Sequence, residues 1–273
     1  MKLSIWSSFF YILSPEDMVT EFDKLGYRYS ELSDAHSMML LERGDDPTAI
    51  GTAFKAHADA HNFNFLQGHL SLKAPICEKE GMELVKRQLD LFKAIGVRYA
   101  VLHLDLLRRY PELTLEQKRE KNLEALKELI DHIKDTDIVL CLENLKEPKL
   151  AESAEQLLWF IEQLGDAHLG ICLDTGHLNL AENKDQVHFI RTAGSRLKAF
   201  HLADNDGSSD QHLMPTARGQ VDFEGIFKTC KEIGYPGLYS YEIPGESWNT
   251  PLPVLAAKTR YIRELSEYFW DIA

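Results

Sequence analysis

Four short apolar runs in this chain break off into an acidic residue or a histidine, and that recurrence constrains the fold more than any other feature. Ile138-Val139-Leu140-Cys141-Leu142 ends in Glu143, and the run from Leu169 to Leu173 ends in Asp174. Leu197-Lys198-Ala199-Phe200 ends in His201, and Leu238-Tyr239-Ser240-Tyr241 ends in Glu242. Short apolar runs bounded by turn signals read as buried parallel strands, so each polar residue falls at a strand's carboxyl end. After Asp174 a Gly-containing turn brings His177 back three residues later. Two glutamates, an aspartate and histidines at successive strand ends suit a divalent cation, because carboxylate oxygen and imidazole nitrogen accept Mn, Mg, Fe, Co or Zn.

The rest of the chain supplies the same unit repeatedly. Strands are expected at Lys2–Trp6, at Tyr27–Leu32 (carrying Glu31), at Phe63–Leu66 leading into Gln67-Gly68-His69, and at Tyr99–Leu102 ending in His103. Between them lie helix starts with recognisable chemistry: Ser14-Pro15, Asp46-Pro47, the Thr114–Gln117 capping box, Ser153, and Asp222 or Phe223. Further helices are expected at 80–95, ending before Gly96, at 184–192, and from Pro251 to about Trp270. A long polar loop, Ala203 to Gln220, follows His201. About eight strand–helix units in 273 residues, with no linker-like stretch, predict one (β/α)8 barrel over residues 1–273. An open doubly wound sheet is the alternative; against it, no Gly-x-Gly-x-x-Gly follows the first strand.

In such a barrel His69, His103, Glu143, Asp174, His201 and Glu242 are each one unit apart and share one mouth, the carboxyl-terminal face where barrel chemistry occurs. A single one of these residues would read as a helix cap or a core histidine; the set reads as a metal site. Cys141 and Cys172 lie two residues before proposed ligands, so their side chains should point into the barrel with those of Glu143 and Asp174. Cys77, Cys141, Cys172 and Cys230 form no CxxC pair and read as reduced thiols. His57, His61, His132, His168 and His188 fall away from strand ends and read as surface or structural.

The formal charge of -13 disfavours a nucleic-acid partner, which normally leaves a basic footprint. With no 18-residue apolar span and no signal-peptide pattern, a cytoplasmic protein is expected, with no membrane partner and with a homo-oligomer allowed.

Leu142-Glu143-Asn144, Leu173-Asp174-Thr175-Gly176-His177, Phe200-His201-Leu202-Ala203-Asp204 and Tyr241-Glu242 together resemble the xylose isomerase-like barrel superfamily. The resemblance covers essentially the whole chain. It points to sugar and sugar-phosphate isomerases and epimerases of the tagatose 3-epimerase, inosose dehydratase and hydroxypyruvate isomerase type. It implies one divalent ion held by Glu143, Asp174, His201 and Glu242, with His177 touching a carbohydrate substrate. His69, His103, Asp210, His212, Arg218 and Trp6 are further candidates for substrate contact. The family often carries Pro-Gly-x-Gly after the seventh strand. Here the loop reads Pro215-Thr216-Ala217-Arg218-Gly219, keeping only the second glycine and adding a cation that could meet a phosphate or carboxylate. Lys73 and Arg108 are the other basic residues just beyond strand ends, and Trp6, Phe9 and Trp248 are aromatic candidates for the pocket wall.

The expected mechanism is proton transfer. A ketose or hydroxy-ketone chelates the ion, one of Glu143 and Glu242 abstracts the acidified C–H proton to give a metal-bound enediolate, and a proton returns to the other face or to the next carbon. A dehydratase acting on a cyclic polyol ketone is an alternative within the same superfamily. The resemblance also reaches the zinc-dependent apurinic endonucleases, whose three-zinc ligand set is matched by His69, His103, Glu143, Asp174, His177, His201, Asp210, His212 and Glu242. Against a nuclease stand the negative charge and the lack of a second histidine in His103-Leu104-Asp105-Leu106. A metal-binding barrel without catalysis is the third reading, weakened by the two glutamates available for proton transfer.

Overall fold

The computed structural model describes residues 1–105, 110–146, 149–216 and 218–273. Arg108 and Ala217 lie outside the described residues. Strand and helix alternate from β1 (Lys2–Ile5) through β2 (Tyr29–Leu32), β3 (Asn64–His69), β4 (Tyr99–Leu102), β5 (Val139–Glu143), β6 (Leu169–Asp174) and β7 (Leu197–His201) to β8 (Leu238–Tyr241). All strand pairs are parallel. β2 to β7 form a six-stranded sheet in sequence order, and β1 pairs with β8 as a second sheet of two strands. Single parallel bridges join the two sheets at both seams, Trp6 to Glu31 and Leu202 to Tyr241. The ladder therefore runs in chain order, but at these seams it thins to isolated bridges.

The helices α1 (Pro15–Lys24), α3 (Pro47–Ala60), α4 (Lys79–Ile95), α5 (Leu115–Ile133), α6 (Ala154–Leu164), α8 (Gln186–Ala193), α9 (Phe223–Ile233) and α10 (Leu252–Ile272) start where the sequence cues place them, within a residue or two. Side chains of Ser14, Asp46, Thr114, Ser153, Asp185 and Asp222 each accept from a backbone N–H of the first turn, and Thr114 with Gln117 completes the capping box. Two helices escape the sequence cues. α2 (Asp34–Leu41), capped by Ser33, follows β2 directly. The Gly-containing turn after Asp174 is itself a short helix, α7 (Thr175–Asn179). None of the helices is long and apolar enough to cross a membrane among the described residues.

The inner face of β4 to β7 is apolar. Val101, Cys141, Cys172 and Ala199, one on each of β4 to β7, form a buried cluster, each two residues before His103, Glu143, Asp174 and His201 respectively. The period of two along a strand puts His103, Glu143, Asp174 and His201 directly above them, on the carboxyl-terminal side. Cys141, Cys172 and Cys230 are buried and free, and Cys77 is partly exposed and free.

Candidate metal centre and active site

The strand ends are stitched to one another by side chains that sequence reasoning left without a role. Asn144, one residue past β5, accepts from the Asp174 N–H through Oδ1 (2.7 Å) and donates to the Asp174 carbonyl through Nδ2 (3.0 Å). Thr175 does the same for the next pair: its hydroxyl donates to the Ala203 carbonyl (2.7 Å) and accepts from the Ala203 N–H (3.0 Å). Register across the ladder sets Glu143 beside Cys172 and Asp174 beside His201. Glu242, one residue past β8, is tied through its N–H to the Leu202 carbonyl (3.1 Å).

Four ligand atoms, one each from Glu143, Asp174, His201 and Glu242, lie within 4.8 Å of one another, and all four residues are buried. His201 Nδ1 sits 3.3 Å from Glu143 Oε1 and 3.1 Å from Glu242 Oε2. Asp174 divides its oxygens. Oδ1 caps α7 by accepting from the His177 N–H at 2.6 Å, whereas Oδ2 is buried without a hydrogen-bond partner. His201 Nδ1 is likewise buried without one. Buried polar atoms are ordinarily satisfied, so two orphans within a buried set of three carboxylates and one imidazole fit a divalent cation.

Around this core stand the histidines. His103 Nε2 donates to Glu143 Oε2 at 2.8 Å, and His69 Nε2 lies 3.3 Å from the same oxygen. His69 is fixed by Nδ1 donating to the Leu70 carbonyl (2.6 Å), and its ring stacks on His201 at 5.3 Å. His177 donates from Nδ1 to the Asn144 carbonyl (2.9 Å) and from Nε2 to Asp210 Oδ2 (3.2 Å). His212 donates from Nδ1 to the Glu242 carbonyl (3.0 Å) and places Nε2 3.2 Å from Asp210 Oδ1. His177, Asp210 and His212 thus form a second group of metal-ligand geometry, and His69, Glu143 and His201 a third that overlaps the first.

Charge is partitioned unevenly. Burial pushes the Glu143 carboxyl up, but His201, His103 and His177 outweigh it and hold Glu143 well below the usual carboxylate range. Glu242 goes the other way: burial and the neighbouring Glu143 raise it, more than His201 and His212 can offset. Burial opposes charge on the histidines too, yet Glu143 lifts His69 to about 9 and Asp210 and Glu242 lift His212 to about 9. His103 is lowered, burial there prevailing over Glu143. A bound cation adds the largest local charge and favours ionised carboxylates and a neutral His201.

Not every predicted contact residue joins the cluster. Arg218 is exposed and lines a separate cavity of about 350 Å³ with Met214, Glu246, Lys258 and Tyr261, whose walls include none of the strand-end ligands. Trp6 is half-buried at the β1 end, its indole N–H without an acceptor. Phe9 is fully buried and is core rather than pocket wall, packed edge-on against Phe10. Trp248 is 63% exposed and tilts against Tyr11. Lys73 is exposed. The long loop is built on Asp204, whose carboxylate accepts from the backbone N–H groups of Asn205, Thr216, Gln220 and Val221. Gly219 packs so closely on it that a Cβ would lie 1.8 Å from the Asp204 carboxyl carbon. Lys146 pairs with Asp210 at 2.9 Å and ties this loop to the end of β5. Glu31, noted from sequence only as a strand residue, is fully buried and accepts from His201 Nε2 at 2.9 Å. Its signal was present: a carboxylate inside a strand that otherwise reads as core.

Comparison with known proteins agrees with this architecture. Among curated relatives, the ketose 3-epimerase of Arthrobacter globiformis is 28% identical over 176 residues, covering 63% of this chain and 58% of that protein. The L-ribulose-5-phosphate 3-epimerase of Salmonella paratyphi A is 24% identical over 184 residues, covering 67% and 63%. Two uncharacterised relatives are matched over 53% and 43% of their length, so the chain spans about half of the first curated relatives it matches. Of solved structures, D-psicose 3-epimerase from Clostridium cellulolyticum H10, crystallised with D-tagatose, superposes with a TM-score of 0.80 over 99% of both chains at 19% identity. The 3-keto-D-glucoside 4-epimerase of E. coli gives 0.77 over 97% of this chain and 99% of that one at 17% identity. At such identities the likeness is one of fold. The family described as xylose isomerase-like TIM barrel matches residues 19–266, nearly the whole length, and it is to this family that the chain belongs.

Proposed function

We propose that this chain is a divalent-metal-dependent sugar or sugar-phosphate epimerase or isomerase, active at the mouth where the β5 to β8 ends converge. The observation that carries the reading is the buried group Glu143, Asp174, His201 and Glu242, in which Asp174 Oδ2 and His201 Nδ1 have no hydrogen-bond partner. These four residues would hold the ion, which supplies Lewis-acid polarisation of a substrate carbonyl when bound. Glu143 and Glu242 come from separate strands and flank His201. One takes the proton from the carbon next to the carbonyl; the other, or the same one, returns it. Return to the opposite face is epimerisation, return to the adjacent carbon is isomerisation. His177, His69, His103, His212 and Asp210 orient the sugar's hydroxyls, whereas Trp6 and Arg218, which lie apart from the cluster, take no part in this reading. The 3-epimerase relatives favour epimerisation of a ketose. The two sheets, bridged at both seams, are read as one closed (β/α)8 barrel and a single domain over 1–273; separate calorimetric transitions would contradict that.

The test is exchange. Incubated with Mn(II) and a panel of ketoses and ketose phosphates in deuterium oxide, the protein should incorporate solvent deuterium at a carbon adjacent to a carbonyl, detected by NMR. A protein that binds metal yet exchanges no substrate proton would sink the proposal. A second reading, a zinc-dependent apurinic endonuclease, is favoured by the two further ligand groups, His177-Asp210-His212 and His69-Glu143-His201. Incision of abasic duplex together with three bound zinc ions per chain would establish it instead.

A further inference from the structure

The interior face of β1, β2, β3 and β8 is polar, where that of β4 to β7 is filled by Val101, Cys141, Cys172 and Ala199. Glu31 on β2 is its centre. Oε1 receives His201 Nε2 at 2.9 Å, while Oε2 receives the amide of Gln67 on β3 (2.8 Å) and the hydroxyl of Ser240 on β8 (3.0 Å). Ser240 is in turn 3.2 Å from Ser4 on β1, and the Gln67 amide also donates to the carbonyl of Phe200, the residue before His201. Glu31, Gln67, Ser240, Ser4 and His201 are all fully buried.

We infer that Glu31 is a positioning residue that selects which nitrogen of His201 faces the metal. This rests on the metal centre proposed above. A carboxylate with donors already on Oε2 accepts at Oε1, so Nε2 must carry a hydrogen and its lone pair is withdrawn from coordination. The nitrogen left to ligate is Nδ1, the atom without a hydrogen-bond partner that lies within 3.3 Å of both Glu143 and Glu242. The carboxylate behind the ring also makes the imidazole a stronger donor to a cation, the effect that outer-shell carboxylates generally have on ligating histidines. The neighbouring apolar half shows that the interior can be filled without buried polar groups. A buried carboxylate is costly unless it is hydrogen-bonded, and Glu31 meets that cost with three donors of which one is His201 itself.

The experiment compares Mn(II) binding to the full-length wild type and to Glu31→Gln, which keeps the size but removes the charged acceptor. Dissociation constants come from electron paramagnetic resonance titration, and a thermal melt of the metal-free protein serves as the folding control. Affinity should fall about 10- to 100-fold in E31Q. In parallel, wild type carrying 15N-labelled histidine and loaded with 113Cd should show metal coupling at His201 Nδ1 and a retained proton on Nε2. If wild type binds no Mn(II), the metal centre itself is wrong and this role goes with it. If wild type binds and folded E31Q binds within about threefold, the positioning role alone is wrong. Should E31Q fail to fold, the cadmium spectrum decides: coupling at Nε2 overturns the inference, coupling at Nδ1 with a protonated Nε2 upholds it.

Discussion

Asp174 carries two jobs on its two oxygens, and they can be separated. Oδ1 caps α7 and Oδ2 is the orphan. Asp174→Asn can keep the capping oxygen and sets an amide NH2, which cannot ligate, at the proposed metal position; it should bind no Mn(II) by elemental analysis yet melt near wild type. Asp174→Ala should lose the metal and in addition about 1 kcal/mol of stability for the lost cap, read by urea denaturation. A full metal equivalent retained by either variant contradicts the ligand assignment. Glu143→Gln and Glu242→Gln address the proposed chemistry. Each keeps one ligating oxygen but no base, so turnover on whichever ketose exchanges deuterium should fall by about 10²–10⁴ while the metal stays bound. Near-normal turnover in both would leave the carboxylates as ligands only and make His177, 3.3 Å from Glu143, the next base to test.

The loop between β7 and α9 shows how one side chain can stand in for a secondary-structure element. Four backbone N–H groups converge on Asp204, and the chain can close on that carboxylate only because Gly219 has no Cβ. Gly219→Ala would thrust a methyl group into the Asp204 carboxyl group, so the loop must move away as a unit. The expected cost is about 1–3 kcal/mol, the range for an overpacked site. Limited proteolysis should then cut within 203–222 faster than in wild type while circular dichroism of the strands and helices is unchanged. Since the loop also carries Asp210 and His212, an unchanged cleavage rate would mean that Asp204 is not what holds it.

Across the whole molecule the most consequential buried base away from the mouth is His36. It is fully buried on α2, with Nδ1 2.8 Å from the Ser7 hydroxyl and Nε2 donating to the Leu13 carbonyl at 3.2 Å, so it links β2's exit to the segment after β1. Burial lowers it from 6.5 to about 4. Between those values the unfolded chain binds the proton and the folded chain does not, so stability is full above about pH 6.5 and is lost as the pH falls toward 4. The shift corresponds to about 3 kcal/mol. Unfolding free energies of wild type and His36→Gln from pH 7 to pH 4 should converge by roughly that amount as the pH falls, because the variant lacks the titrating group. Parallel curves would show that His36 takes up its proton without loss of structure.

What the sequence determined by itself was the repeat and its polarity. Apolar runs of strand length, each closing on an acidic residue or a histidine one strand–helix unit from the last, leave few architectures other than a parallel ring with a common mouth. The capping residues Ser14, Asp46, Thr114, Ser153 and Asp222 placed the helices between them because a cap is a local hydrogen bond. Only the tertiary structure decided the relations that local pattern does not encode. Glu31 meets His201 across 170 residues of chain, a contact made only when β2 and β7 come together in the folded chain. Arg218 fell into a separate cavity because the Asp204-centred loop carries it there, and no periodicity specifies such a loop. The turn after Asp174 became α7 because Asp174 Oδ1 caps it, a choice visible only once that oxygen's surroundings are known. Pattern fixes which residues reach the mouth; packing fixes which of their atoms remain free to act there.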